Sequence, residues 1–213
     1  MAMKFRNGIA EPTRRDLLLI STVATGVAGA FAATVPLISQ MNPDASAVAS
    51  GGPIDIGLGE VEPGSQIVVM WQKKPVFVTF RTNKILARLQ DNALVAQLAD
   101  PDSLNFQQPV YAKNWHRSLT PEIGVYVGVC THLGCIPQFH PSADSDDLPE
   151  DWRGGYFCAC HGSKYDLAGR VFSDVPAPFN LPVPPHRFVN DTTIRIGENP
   201  KGAHFDFGSI LQL

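Results

Sequence analysis

Two cysteines and a histidine fall within six residues in C-T-H-L-G-C, positions 130–135, and the same three side chains recur in C-A-C-H-G-S-K-Y-D, positions 158–166. The chain has four cysteines in all, so the two segments use every one. Thiolates and imidazoles are the donors that hold zinc and iron–sulfur centres. Each segment can offer one of each: Cys130 and His132 from the first, Cys158 and His161 from the second. That leaves Cys135 and Cys160, one per segment. Gly134 and Gly162 permit backbone turns closed to other residues and can leave amides free to face sulfur.

Three chemistries compete for these six side chains. A tetrahedral zinc site takes two cysteines and two histidines but does not account for the other two sulfurs. Two disulfides without metal use all four cysteines and leave both histidines idle. A [2Fe–2S] cluster with two thiolates on one iron and two imidazoles on the other uses every residue. If the two segments converge on such a centre, Cys135 and Cys160 come close together, and a bridge between them would persist in an exported domain.

The elements that must position these groups divide the chain in three. Residues 17–38, LLLISTVATGVAGAFAATVPLI, carry no charge, and at about 1.5 Å per residue they match a bilayer core of roughly 30 Å. Lys4, Arg6, Arg14 and Arg15 precede the run and no base follows it closely, so the positive-inside rule keeps the amino terminus cytoplasmic and exports the rest. T-R-R-D-L-L-L reads as a twin-arginine export signal. A cleavable signal competes, since A-G-A-F-A-A offers small residues, but the apolar run continues past them, which favours an uncleaved anchor. We therefore expect a tail and anchor over 1–38, a linker over 39–53, and an exported domain over 54–213 whose site-bearing part spans about 128–180.

Within that domain Q-I-V-V-M-W, K-P-V-F-V-T-F-R-T, G-V-Y-V-G-V-C, G-Y-F-C-A-C and T-T-I-R-I-G read as strands. Ile85, Leu86, Leu89, Leu94 and Leu98 fall near helical spacing after Asn83, which predicts one short amphipathic helix over 83–99 with Asn83 as its cap. The expected fold is mainly β: one amino-terminal transmembrane helix, a flexible hinge, and an antiparallel domain with a small site-bearing subdomain. With 17 basic against 20 acidic residues there is no basic stripe, which argues against nucleic acid as a partner. The acidic run at 144–151 reads as a solvated loop. His116, His140, His186 and His204 have no partner at ligand spacing and read as surface or structural; Trp71, Trp115 and Trp152 read as core or anchor residues.

The paired segments resemble the two cluster-binding boxes of Rieske proteins. The extra cysteines, with Ser163 and Tyr165, narrow the resemblance to the high-potential type found in quinol oxidases. K-P-V-F-V-T-F-R-T, L-A-D-P, V-Y-A-K-N-W-H-R-S and the twin-arginine anchor extend it over nearly the whole chain, toward the iron–sulfur subunits of bacterial ubiquinol–cytochrome c reductases. The resemblance implies one [2Fe–2S] cluster, with Cys130 and Cys158 on the inner iron, His132 and His161 on the outer one, and a Cys135–Cys160 disulfide. It implies that Ser163 and Tyr165 donate hydrogen bonds to cluster sulfurs, that Leu133 shields the cluster at the quinol site, and that His161 takes the hydrogen bond and proton of ubiquinol. It further implies a cytochrome b subunit and a cytochrome c-type haem subunit as partners, in a dimeric complex of the bacterial inner membrane, the domain being periplasmic and the chain not catalytic alone.

Three departures stand out: Ala159 and Val175 occupy positions where this family usually has proline and glycine, and the stretch between the boxes is long. The small Rieske subunit of a periplasmic oxidase such as arsenite oxidase is the rival reading. Rieske dioxygenases lack the disulfide pair, and the plastoquinol–plastocyanin branch fits the framework phrases less well.

Overall fold

The computed structural model describes residues 13–41, 51–59, 61–142 and 152–212, and the chain separates into two compact units, residues 1–48 and 49–213. The hinge residues 42–50 and the acidic run 144–151 lie outside the described residues.

Among the described residues the first unit contains one long helix, α1 (Arg14–Ser39), of 26 residues, about 39 Å long at 1.5 Å per residue. Thr13 caps it, its side chain accepting from the Asp16 amide while the Asp16 carboxylate accepts from the Thr13 amide. No residue of α1 is buried. The hydroxyls of Ser21, Thr22, Thr25 and Thr34 each donate to the carbonyl four residues back, at 2.7–2.8 Å. Polar side chains in an apolar helix are thereby satisfied internally, which hydrocarbon demands. The helix is long and apolar enough to cross a bilayer.

The second unit is built from three antiparallel sheets of three strands. Strands β2 (Gln66–Trp71), β3 (Lys74–Phe80) and β4 (Ile123–Val127) form one, in that order. Gln72 and Lys73, both at positive φ, make the tight two-residue turn between β2 and β3. Strands β1 (Ile54–Gly57), β9 (Thr193–Ile196) and β8 (His186–Asn190) form the second sheet, again in that order. The two sheets bury a shared core in which Val76, Val78, Val125 and Val127 meet Ile56, Ile194 and Ile196, with Trp71, Phe205 and Phe207 closing one end. Gly51 and Gly52 are tied to this unit, their carbonyls accepting from Gln72 and from the Trp71 indole.

The third sheet is smaller: β5 (Gln138–His140), β6 (Gly155–Cys158) and β7 (Ser163–Tyr165). It stands on the first sheet through a second core, where Phe77 stacks on Tyr156 at 5.3 Å and Tyr126, Val171 and Leu181 fill the space between. Gly155 is required there, because a Cβ at that position would meet the Tyr165 carbonyl of β7.

The helix expected over 83–99 is instead two short ones, α2 (Asn83–Leu89) and α3 (Asn92–Val95). The cap is Thr82, one residue earlier than expected, and Asp91 interrupts the run because its side chain accepts from the Ala93 amide and starts a new helix. The apolar residues still share one face: Ile85, Leu89, Leu94 and Leu98 join Leu167, Ala168 and Phe172 in a third buried cluster. Trp71 and Trp152 are buried and Trp115 is partly exposed; His116 and His186 are buried and His204 is exposed.

Candidate metal centre

β4 runs directly into the first cysteine loop, and the β6–β7 hairpin carries the second, so two adjacent sheets aim their loops at one spot. Each loop closes with the same short bond: the Gly134 amide donates to the Cys130 carbonyl and the Gly162 amide to the Cys158 carbonyl, both at 2.9 Å. Both glycines have φ near +80°, a left-handed conformation that other residues rarely adopt.

The loops meet. Cys135 and Cys160 are joined by a disulfide across a sequence separation of 25. The two free thiols, Cys130 and Cys158, are both buried, and the rings of His132 and His161 lie 4.8 Å apart with their planes at 88°. The site is therefore polarised: the two free thiols lie inside, His132 is half-buried, and His161 is exposed at the tip. Sγ of Cys158 also lies within 4.8 Å of both Cys135 and Cys160, but those two sulfurs are bonded to each other and are not thiolates, so that trio is not the ligand set.

Tyr165 supplies a fixed donor beneath this centre. Its hydroxyl donates to Cys130 Sγ at 3.3 Å and accepts from the Thr131 amide at 3.1 Å. Burial, then the bond to the Cys130 sulfur, raises the phenol well above its ordinary range, so it keeps its proton. Burial and the hydrogen bond with Cys130 likewise push the Cys158 thiol up; a bound cation reverses that sign, because coordinating thiols ionise. Ser163, fully buried, accepts from the Ala177 amide at 3.1 Å. Leu133 is 71% exposed at the tip, and Ile136 accompanies it at 60%.

Several supporting residues escaped the sequence reading. Thr131 donates to the Phe179 carbonyl at 2.7 Å, tying the first loop to the proline-rich segment 175–185. Arg117 is wholly buried, its guanidinium donating to the carbonyls of Ala168, Gly169 and Leu181 and to Gln108, and burial pushes it down to about 10. Arg170 pairs with Asp166 at 2.7 Å in the same interior. No spacing signal marks such residues, because a polar side chain that serves distant carbonyls has no sequence period. Val175 needs no glycine: its φ is negative, the positive φ falls on Asp174, and its side chain packs between two cores. Ala159 is exposed, where proline is not required for packing. His140 is occupied elsewhere, contacting Gln138 at 3.3 Å and the edge of Trp152.

The donor set fits an iron–sulfur cluster. Two buried thiols are hydrogen-bonded to each other, two imidazole rings pack edge to face on the same pair of loops, a disulfide joins those loops, and a phenol proton is already aimed at one sulfur. Two cysteine–histidine loops clasped at the tip of an antiparallel domain define a Rieske-type electron-transfer protein, and residues 103–185 match the family described as "Rieske [2Fe-2S] domain". Residues 7–44 match "Ubiquitinol-cytochrome C reductase Fe-S subunit TAT signal". Curated relatives named ubiquinol–cytochrome c reductase iron-sulfur subunit are 48% identical in Allochromatium vinosum, over 87% of this chain and 89% of the relative, and 44% identical in Bradyrhizobium diazoefficiens, over 88% and 96%. The one from Blastochloris viridis is 45% identical over 88% and 94%. The chain belongs to this family of Rieske iron–sulfur subunits, whose Rieske domain holds a [2Fe–2S] cluster.

Proposed function

We propose that Cys130 and Cys158 hold one iron of the cluster and His132 and His161 the other, and that the chain takes one electron and one proton from ubiquinol. When bound, the cluster supplies a one-electron acceptor of high potential, up to about +300 mV in this class against about −400 mV for all-thiolate plant-type clusters. Neutral imidazoles in place of two thiolates make the site less negative, which favours the added electron. Tyr165 and Ser163 act in the same direction by offering protons to sulfur.

The observation that carries this reading is the polarity of the site, with thiols inside and the His161 ring exposed. A quinol hydroxyl can reach only the nitrogen side. His161 accepts its hydrogen bond and then its proton, while Leu133 presents an apolar wall that excludes water from the contact. The electron then passes to a cytochrome c-type haem, and the second quinol electron goes to a cytochrome b partner. One exposed tip cannot touch both partners at once, so the domain moves on the linker at 39–53, on a microsecond-to-millisecond scale. The domain organisation is a tail and anchor over 1–38, that linker, and the domain at 54–213. We place it on the periplasmic side of the inner membrane, with the amino terminus cytoplasmic, in a dimeric complex.

The test is EPR of the dithionite-reduced complex in native membranes, with and without an inhibitor of quinol oxidation. The expected result is a mixed-ligand [2Fe–2S] signal that shifts when the inhibitor binds and is absent from Cys130→Ser and His161→Ala. Isolated complex without acid-labile sulfide, or a signal that survives both substitutions, would refute the assignment.

A further inference from the structure

Gln107 is fully buried and lies outside both cysteine loops. Its side-chain nitrogen donates to the Gln212 carbonyl at 2.9 Å and to the Asn180 carbonyl at 3.3 Å, and its side-chain oxygen accepts from the Gln212 amide at 3.2 Å. Beside it the Leu211 amide donates to the Phe106 carbonyl at 3.2 Å. The carboxamide thus pairs with residue 212 as one peptide group pairs with another across a ladder. Its own main-chain carbonyl accepts from the Val183 amide at 2.8 Å. Both ends of the stretch 180–183 therefore hang on this one residue.

That stretch continues the segment that orients the donors of the metal centre. The Ala177 amide donates to Ser163 Oγ, which turns a lone pair of the hydroxyl toward Ala177 and its proton the other way. The Phe179 carbonyl takes the Thr131 proton, and Thr131 touches the Tyr165 hydroxyl through both its amide and its Oγ1, each at 3.1 Å. Asn180 secures the same segment, accepting from the Val171 amide and donating to the Asp100 carbonyl. A path of hydrogen bonds and the Phe179–Asn180 peptide link joins Gln212 to Cys130 Sγ.

We propose that Gln107, with the Leu211–Gln212 segment it holds, is a positioning residue for the metal centre, setting its reduction potential by fixing the segment that orients Ser163 and Tyr165. The inference rests on the ligand reading above. Donors held in place act on sulfur without reorganisation, whereas donors on a loosened segment divide their time among other partners.

The experiment compares wild type with Gln107→Met and with a chain ending at Ile210, each in the full complex. Redox titration followed by EPR and hydrogen–deuterium exchange over residues 175–185 are measured together. Both variants are expected to keep the cluster, exchange faster across 175–185, and titrate at a lower midpoint potential. Faster exchange or lower thermal stability with an unmoved potential would overturn the proposal, since a purely structural role predicts that pattern, and so would no change in either measurement. Wild-type complex lacking the cluster signal would instead defeat the ligand reading itself, and this inference with it.

Discussion

The Tyr165 hydroxyl stands 3.3 Å from Cys130 Sγ, and the same oxygen accepts the amide of the neighbouring Thr131. A phenol held from both sides and kept protonated by burial is a fixed positive end aimed at the sulfur we propose as an iron ligand. Its effect on electron affinity follows from geometry alone, because the donor does not have to move when the electron arrives.

Tyr165→Phe keeps the aromatic body in the core and removes that proton. A hydrogen bond to a charged acceptor contributes about 1.5 kcal/mol or more, which for a one-electron couple is roughly 60 mV. We expect the midpoint potential to fall by about that amount while the cluster still assembles, as read by redox titration. Equal potentials in the two proteins would remove Tyr165 from the account.

Cys135→Ser with Cys160→Ser opens the clasp between the loops. Closing a loop of sequence separation 25 stabilises the fold by about 3–4 kcal/mol on chain-entropy grounds. The double variant should melt at a lower temperature and lose iron on mild heating, measured by calorimetry and iron content. A variant that melted with wild type would show that the two hydrophobic cores alone hold the loops together.

His186 is buried, with Nδ1 on the Pro184 carbonyl at 2.8 Å, and burial pushes it down to about 4; burial, then Arg81, does the same to His116. A base whose folded value is depressed binds its proton more readily when unfolded. Its contribution is complete above about pH 6.5 and is lost as pH falls from there toward 4. Unfolding temperature should therefore decline across that window, and less steeply in His186→Asn. Parallel curves for the two proteins would rule out the histidine as a cause.

Prolines introduced between Ala45 and Ala49 should slow quinol-dependent cytochrome c reduction while leaving the EPR spectrum unchanged, if the linker serves domain movement. Turnover at the wild-type rate in such variants would reject that role.

The amino-acid sequence by itself determined the chemistry available to this protein. Four cysteines and two histidines in two short segments, glycines where each loop must turn, and an uncharged run of bilayer length are local properties, legible because they depend on residue type and spacing. The β2, β3, β4, β6 and β9 strands were legible for the same reason, each being a run of β-branched and aromatic side chains. The tertiary structure alone decided what lies between these parts. It broke the helix at Asp91, where a carboxylate captured a nearby amide. It placed His161 outside and the thiols inside. It also made Gln107, Arg117, Thr131 and Asn180 the supports of the site, because each serves main-chain carbonyls brought near only when distant segments pack together.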